Sequence, residues 1–359
     1  MADETLVATF TSFANAIREK EGSTDLISPY DMGDRIRALS GGGFPNGTEW
    51  TQSNITSGNF NCVHNANGIW VAGGSNVGLY YSTDGKTWTQ SNITSGEFNA
   101  VYNANGLWVA PAYSSPNGFY YSTDGVTWTH NDSLTKSVFS VHAAAGLWVA
   151  CVYQAGLYYS TDGMIWTQSN ITSGDFNCAS NANGLWVAAS GSAGLYYSAD
   201  GKTWTQSNIT SGIFKYVHNA NGLWVACSNS SSGGLYYSTD GKTWTQSNIT
   251  NCKIYSVYYA NGLWVAGSAS NIGLYYSTDG MAWTQSNITS RNFYAIYNAN
   301  GIWVAGTNSN GLYYSTDGMT WTQSNVTLSG FDAIHNTNGI WVVSSSAGLY
   351  YSVTWEPGE

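Results

Sequence analysis

Charged residues are scarce in this chain of 359 residues, where Asp, Glu, Lys and Arg together make up 9%. The formal net charge is −10. After residue 45 only seven basic residues occur, and they are spread out: Lys86, Lys136, Lys202, Lys215, Lys242, Lys253 and Arg291. Nucleic-acid binding needs clustered Lys and Arg to neutralise phosphates, so the composition predicts no nucleic-acid partner. Ser, Thr, Asn, Gln and Gly must cover most of the surface, which suits hydrogen bonding to neutral polar ligands.

Long apolar runs are also lacking. No stretch approaches the length needed to cross a bilayer, and the opening MADETLVATF has no basic region followed by an apolar one, as a signal peptide would. We therefore expect no membrane insertion, and synthesis in a bacterial cytoplasm without a signal peptide.

Cysteine is rare too, and its five copies form an odd number: Cys62, Cys151, Cys178, Cys227 and Cys252. They replace other residues sporadically rather than in a fixed pattern. This usage is typical of free thiols and not of a disulfide framework or a metal site. We expect neither a metal nor a cofactor.

Tryptophan, by contrast, is abundant and periodic. Nine of the 17 follow a spacing of 34 to 40 residues, as in GLYYSTDGKTW (Gly78–Trp88): Trp50, Trp88, Trp128, Trp166, Trp204, Trp244, Trp283, Trp321 and Trp355. The other eight lie between them in the phrase GxWVA or its last copy, GIWVV. Such a period indicates a solenoid, a propeller or a tandem array. Each unit is too small to bury its own apolar face, so the units must form one large domain.

Each unit is predicted to be a four-stranded antiparallel meander. In the first unit the predicted strands are Phe60–Asn65, Ile69–Ala72, Leu79–Thr83 and Thr87–Asn92. Asn67-Gly68 and Asp84-Gly85 separate them as hairpin signals, and both predict type I′ turns, in which both central residues have positive φ.

Four strands in such a unit are typical of a blade of a β-propeller. The phrases GxWVA (last copy GIWVV) and GxYYS each occur eight times. Asn46–Asn54 has the form of a lone fourth strand, which would complete a last blade begun by Phe331–Ser352. We expect an all-β, eight-bladed propeller of four-stranded antiparallel blades over residues 46–359, closed by its N-terminal strand. Seven blades with a spare unit is the alternative.

Residues 1–40 are predicted to form a small α-helical hairpin, followed by a Gly-rich linker at 41–45. Two short helices bury little surface, which favours self-association or docking on a partner; a helical cap on the propeller is the alternative. FANAIREKEG and SPYDMGDRIRAL resemble a helical module common near the ends of phage and prophage tail proteins of Gram-positive hosts. The resemblance implies attachment to other tail or baseplate proteins, a place in a virion or tail-like particle, and a possible homo-oligomer.

The motif SxDGxxW resembles the Asp-box of sialidase-like (BNR) propellers, which lies in the turn between the third and fourth strands of a blade. Its Asp accepts backbone N–H groups within the turn, and its Trp fills the space beneath. Seven residues are therefore interpreted as structural turn caps: Asp84, Asp124, Asp162, Asp200, Asp240, Asp279 and Asp317.

The catalytic residues of a sialidase are missing from the repeats. That family uses three arginines and a Tyr/Glu pair with an Asp, whereas the repeats contain only Arg291 and few glutamates. Other glycosidases need two facing carboxylates, and Asp132, Asp175 and Asp332 fall in different blades. We predict no enzymatic activity and no catalytic residue, with a glycoside hydrolase as the least favoured hypothesis.

One repeat position carries only His, Tyr or Ser. Its members are His64, Tyr102, His142, Ser180, His218, Tyr258, Tyr297 and His335. Interchange of Tyr and His favours a packing or hydrogen-bonding layer over a set of metal ligands.

The variable parts of the repeat are the loops between strands two and three and the residues leading into strand one. Alternate connections of a meander share an edge, so these parts should share one face. Candidate ligand-binding residues there are Glu97, Asn99, Tyr113, Tyr153, Lys215, Tyr255, Arg291, Tyr294 and Asp332. Neutral drift of exposed loops would also produce such variation. The functional hypothesis is a phage or prophage receptor-binding protein that recognises a cell-surface glycan, and the alternative is a protein-interaction scaffold.

Overall fold

The computed structural model describes residues 47–352, apart from 115–117, 133 and 328. The chain divides into two compact units, and the described one is Gly47–Ser352. The predicted helical hairpin at 1–40, the linker at 41–45 and the chain after residue 352 lie outside the described residues. Among the residues described, no helix has the length and apolar character needed to span a membrane.

The described part of the chain contains 32 strands, which form eight four-stranded antiparallel sheets, or blades. Blade 8 contains β1 (Thr51–Gln52), β30 (Phe331–Thr337), β31 (Ile340–Ser345) and β32 (Gly348–Ser352). Blade 1 contains β2 (Asn59–Ala66), β3 (Ile69–Ser75), β4 (Gly78–Ser82) and β5 (Thr89–Gln90). Blade 2 contains β6 (Tyr102–Ala104), β7 (Leu107–Ala112), β8 (Gly118–Ser122) and β9 (Thr129–Asn131). Blade 3 contains β10 (Val138–Ala144), β11 (Leu147–Val152), β12 (Gly156–Ser160) and β13 (Thr167–Gln168).

Blades 4 and 5 contain β14 (Phe176–Ala182), β15 (Leu185–Ser190), β16 (Leu195–Ser198) and β17 (Thr205–Gln206); and β18 (Phe214–Ala220), β19 (Leu223–Ser228), β20 (Gly234–Ser238) and β21 (Thr245–Thr250). Blades 6 and 7 contain β22 (Ile254–Ala260), β23 (Leu263–Ser268), β24 (Leu274–Ser277) and β25 (Thr284–Gln285); and β26 (Phe293–Ala299), β27 (Ile302–Thr307), β28 (Leu312–Ser315) and β29 (Thr322–Gln323).

The N-terminal strand closes the ring. β1 pairs with β32 in antiparallel register, Thr51 opposite Tyr351 and Gln52 opposite Tyr350. The predicted eight-bladed propeller is thus confirmed, and the seven-bladed alternative is wrong. The first strand of each blade is innermost, because these strands contact one another around the ring.

The core lies between consecutive blades. Between blades 4 and 5, for example, Val187 and Leu195 pack against Phe214 and Trp224, all of them buried. Burying one large apolar side chain contributes about 1.5–3 kcal/mol, and the pattern recurs at every junction between blades, which we call a seam. The buried apolar side chains therefore lie mainly in the seams between blades.

The two kinds of hairpin turn differ. Asn67 and Gly68 both have positive φ, at 53° and 80°, so the type I′ prediction is confirmed there. It is wrong for Asp84-Gly85, where only Gly85 has positive φ, at 71°. Ser82 Oγ accepts N–H of Gly85 at 2.9 Å, and Asp84 Oδ1 accepts N–H of Lys86 and Thr87 at 2.8 and 2.7 Å. These side-chain caps replace the backbone pairing of a type I′ turn.

The fourth strand is shorter than predicted, Thr89–Gln90 instead of Thr87–Asn92. The Asn92 side chain, which the prediction placed in this strand, bonds to the next blade. Its Nδ2 donates to the Trp128 carbonyl at 2.8 Å, and the Trp128 N–H donates to its Oδ1 at 2.8 Å. We call this pair of bonds the Asn–Trp clasp. Equivalent clasps join seven of the eight seams, through Asn54–Trp88, Asn92–Trp128, Asn170–Trp204, Asn208–Trp244, Asn248–Trp283, Asn287–Trp321 and Asn325–Trp50.

Candidate binding face

The variable loops and the segments that lead into strand one lie on one face of the propeller. The Tyr113 N–H donates to the Glu97 carbonyl at 2.9 Å, and the Tyr153 N–H donates to the Ser137 carbonyl at 2.8 Å. The same loop-to-segment bond recurs in other blades, as between Gly191 and Asp175 at 2.8 Å. We call this surface the variable face.

A β-bulge in the first strand of seven blades shapes the centre of the variable face. A bulged residue is left out of the ladder pairing, so its side chain is re-aimed. The bulge positions, with Asn99 at the equivalent place in blade 2, are Asn61, Asn99, Phe139, Asn177, Lys215, Tyr255, Tyr294 and Asp332. We call this set the bulge ring. The bulges were not predicted from the sequence, although the three-residue spacing of Phe60 and Val63 breaks the two-residue period of a regular strand.

Members of the bulge ring touch their neighbours across the seams. Asn61 Nδ2 donates to Asn99 Oδ1 at 3.0 Å. Tyr255 and Tyr294 stack with ring centroids 4.5 Å apart and an angle of 30° between planes. The structure thus brings together two of the predicted site residues at the seam between blades 6 and 7.

A second aromatic group lies at the seam between blades 2 and 3. The centroids of Tyr113 and Phe139 are 5.1 Å apart, those of Tyr113 and Tyr153 5.9 Å, and those of Phe139 and Tyr153 5.6 Å. We call these three residues the aromatic triad. Phe139 was not among the predicted site residues, and Tyr153 is 36% exposed.

The charged candidates are dispersed around the ring. Lys215 in blade 5 and Asp332 in blade 8 both reach solvent, but the surrounding blades remove part of their hydration. This desolvation lowers the pKa of Lys215 and raises the pKa of Asp332. Arg291 is exposed and its N–H donates to Asn271 Oδ1 at 2.9 Å. The nine candidates therefore form two separate aromatic groups with scattered charges and not one cluster.

Beneath the bulge ring, the position that carries His, Tyr or Ser forms a collar of side chains around the axis. Neighbouring ring centroids are 4.9 to 5.6 Å apart, through His335–His64, His64–Tyr102, Tyr102–His142, His218–Tyr258, Tyr258–Tyr297 and Tyr297–His335. Only Ser180 in blade 4 interrupts the series. The contacts are those of a packing layer. Within the described ranges, no group of three or more His, Cys, Asp or Glu could hold a metal ion.

The collar histidines are held neutral. Burial lowers the pKa of His64, His142 and His218 to about 4. Burial, with a contribution from nearby His64, lowers the pKa of His335 to about 3. Above the collar, Tyr216 occupies a position where other blades have Cys, Ala or Ser, and it is 37% exposed. It was not among the site residues predicted from the sequence.

The SxDG aspartates lie away from the variable face, in the turns between the third and fourth strands. In each turn Asp Oδ1 accepts two backbone N–H groups and the Oγ–H of the preceding Ser, at Asp84, Asp124, Asp162, Asp200, Asp240, Asp279 and Asp317. Hydrogen bonds led by that from the Thr243 backbone lower the pKa of Asp240 to about 2.

Comparison with known proteins finds similar folds but identifies no family. No protein-family model matches this chain, and no curated protein sequence matches it. Similar solved structures include the computationally designed Ika8 protein, which is 10% identical with a TM-score of 0.68 over 86% of this chain and 100% of that one. Sqt1 of Saccharomyces cerevisiae is 10% identical, with a TM-score of 0.64 over 87% and 99%. YCF48 bound to D1 peptide is 16% identical, with a TM-score of 0.56 over 87% and 96%. At such identities the likeness shows the fold alone.

Proposed function

We propose that this protein is a non-enzymatic binding protein that recognises a cell-surface glycan through the variable face. The observation that carries the proposal is the pair of aromatic groups there, Tyr113–Phe139–Tyr153 and Tyr255–Tyr294. Tyr rings offer large, rigid, amphipathic contact area at low entropic cost, and Asn and Ser side chains beside them supply adaptable hydrogen bonds. This combination suits a sugar, which has an apolar ring face and many hydroxyl groups.

The placement of the two groups favours an extended or repeated ligand. The seam between blades 2 and 3 and the seam between blades 6 and 7 are four blades apart in a ring of eight, so the two groups face each other across the axis. Two weak sites on one rigid body give an avidity well above either single affinity when the ligand engages both. A polymeric surface glycan meets that requirement.

We further propose a role as a receptor-binding protein of a phage or prophage tail. The sequence resemblance of Phe13–Gly22 and Ser28–Leu39 to a tail-protein module supports this role, with residues 1–40 attaching the propeller to other tail or baseplate proteins. The SxDG turn, in which Asp84 caps the backbone and Trp88 Nε1 donates to the Gly85 carbonyl at 3.2 Å, supports a relationship to Asp-box propellers. Release of product from a sialoside by the purified chain would contradict the non-enzymatic assignment.

A polypeptide-binding scaffold is the second candidate. It is favoured by the fold likeness to YCF48, a structure of which holds the D1 peptide, and by the readiness of aromatic side chains to anchor protein partners. In this case the same variable face would hold a peptide segment.

A glycan array probed with the full chain tests the first candidate. We expect specific saccharide binding that weakens at least about tenfold, equivalent to about 1.4 kcal/mol, in Tyr153→Ala and in Tyr294→Ala. Thr203→Ala, in a turn away from the variable face, is the matched control and should bind as the wild type does. No saccharide binding, together with capture of a protein partner that Tyr153→Ala abolishes, would favour the scaffold instead.

A further inference from the structure

The seam between blades 2 and 3 departs from the repeat at its outer edge. Where other units read TQSNIT or TQSNVT, this one reads THNDSL from Thr129 to Leu134. Asp132 takes the place of the clasp Asn, and Asn131, which takes the place of Ser91, donates from Nδ2 to the Met164 carbonyl. The Trp166 indole N–H is buried without a hydrogen-bond partner, whereas its seven equivalents each donate to a glycine carbonyl. Trp166 instead stacks flat on Phe119, with centroids 4.2 Å apart.

The same seam carries the aromatic triad on the variable face. Tyr113 comes from blade 2, and Phe139 and Tyr153 come from blade 3. Their centroids are between 5.1 and 5.9 Å apart, so the rings are in contact and leave no space for a ligand between them. A ligand must therefore lie on the outer surface of the triad, where Tyr153 is exposed.

Two carboxylates flank the triad. Glu97 lies beside Tyr113, because its backbone carbonyl accepts the Tyr113 N–H at 2.9 Å, and partial burial, followed by the influence of Tyr153, Glu97 and Asp175, raises the pKa of Tyr113. Asp175 is fixed in place, since its Oδ1 accepts the Gln154 N–H at 2.9 Å, and Gln154 Nε2 donates to the Tyr153 hydroxyl at 3.2 Å.

Neither carboxylate is neutralised. In the parts of the chain that the structure describes, Glu97 and Asp175 form no ion pair with a Lys or Arg, and the one His–carboxylate contact is between His130 Nδ1 and Asp132 Oδ1 at 2.7 Å. Lys136, two residues before β10, is exposed and is not paired with either of them. The outer surface of the triad is thus an aromatic platform between two carboxylates that no Lys or Arg neutralises.

An aromatic face beside carboxylates attracts a cation, through the ring quadrupole and through direct charge pairing. A pyranose that carries a protonated amino group can make both interactions. Its ring face stacks on Tyr153, and its ammonium group pairs with the carboxylate of Glu97 or Asp175. N-acetylation removes the charge and so removes the second interaction. We infer that the seam between blades 2 and 3 is a subsite for an amino sugar with a free, protonated amine. The inference rests on the proposed glycan-binding function and specifies its ligand class.

Calorimetry with the full chain and two matched oligosaccharides tests this. The probes are a glucosamine tetramer and the corresponding N-acetylglucosamine tetramer, each titrated at low and at high salt. We expect the glucosamine tetramer to bind at least about tenfold more tightly at low salt and to lose most of that advantage at high salt, because exposed charge interactions are screened. Glu97→Gln with Asp175→Asn should abolish the preference. The amide introduced by the second substitution still offers an oxygen to the Gln154 N–H, so the loop should keep its conformation.

Two further variants distinguish binding at this subsite from binding elsewhere on the variable face. Tyr153→Ala should weaken the glucosamine tetramer at least about tenfold, and Tyr294→Ala, at the other aromatic group, should leave the preference between the two tetramers unchanged. An unaltered Tm in each variant excludes unfolding as the cause. Equal binding of both tetramers by the wild type, or a preference that survives the double variant, would overturn the inference and leave the glycan-binding function standing. Absence of binding to any saccharide on the array would instead overturn the function itself.

Discussion

Asn92 in blade 1 and Trp128 in blade 2 hold each other by two hydrogen bonds, each 2.8 Å long, between an Asn amide and a Trp backbone. The bonded N–H and C=O of Trp128 immediately precede β9, the outermost strand of its blade. An outermost strand presents unpaired backbone groups to solvent, and the amide of the neighbouring blade satisfies one donor and one acceptor there. The clasp therefore links the blades at their outer edge while the apolar side chains hold them together further in.

We expect loss of the Asn–Trp clasp at a regular seam to destabilise the folded protein. Asn208→Ala removes both bonds to Trp244, which are 2.9 and 2.8 Å long, and should lower the free energy of unfolding by about 1–3 kcal/mol. Asn208→Asp keeps the acceptor and loses the donor, so it should fall between Ala and wild type in urea denaturation. An Ala variant as stable as the wild type would show that the clasp contributes nothing.

The Trp166 indole N–H has no hydrogen-bond partner, whereas that of the equivalent Trp204 has one. We therefore expect substitution of the two residues to lower the stability by different amounts. Trp204→Phe loses the bond from Nε1 to the Gly201 carbonyl, 3.1 Å long, and leaves that carbonyl unsatisfied. Trp166→Phe loses no such bond. Both variants lose similar ring volume, so Trp204→Phe should be the more destabilising by about 1 kcal/mol. Equal losses in parallel denaturation curves would contradict this reading of the seam.

The collar histidines predict instability in mild acid. Their pKa values in the folded protein, about 4 for His64, His142 and His218 and about 3 for His335, lie below the value of about 6.5 expected after unfolding. As the pH falls below about 6.5, the unfolded chain binds protons that the folded chain does not, so the folded state loses stability until the pH nears 4. We expect the Tm to fall by at least about 5 °C between pH 7 and pH 4.5.

The control for this acid effect comes from the chain itself, because Tyr occupies the same repeat position at Tyr102, Tyr258 and Tyr297. Replacing all four histidines by Tyr should keep the packing and flatten the dependence of the Tm on pH. An equally steep dependence in that variant would assign the acid sensitivity to other groups.

The SxDG turn predicts unequal roles for its Ser and its Asp. Ser238 is buried, and its Oγ accepts the buried Gly241 N–H at 2.8 Å. Asp240 caps the Lys242 and Thr243 N–H groups, which are exposed and remain accessible to water without it. Ser238→Ala should therefore cost about 1–3 kcal/mol and Asp240→Ala about 1 kcal/mol. The reverse order in thermal melts would contradict the assignment of the main structural role to the serine.

Much of the fold follows from the sequence because its signals are local and repeated. The Asn-Gly hairpins are an example, since positive φ at Asn67 and Gly68 is dictated by those two residues. Asp84-Gly85 shows where local reasoning fails, because the conformation there depends on bonds that the Ser82 and Asp84 side chains make to the backbone. The length of the fourth strand was also overestimated, because in blade 1 it ends at Gln90, and the Asn92 side chain bonds to a residue of the next blade.

The sequence alone predicted eight blades and closure of the ring by an N-terminal strand, because both depend on counting copies of one unit, and the structure decided between eight blades and seven. Only the tertiary structure decided which variable residues meet. Tyr113, Phe139 and Tyr153 come from two blades, and their contact depends on the seam between them and on the bulge at Phe139. No sequence period encodes such a contact, since it arises where rigid sheets pack side by side and the repeat is broken.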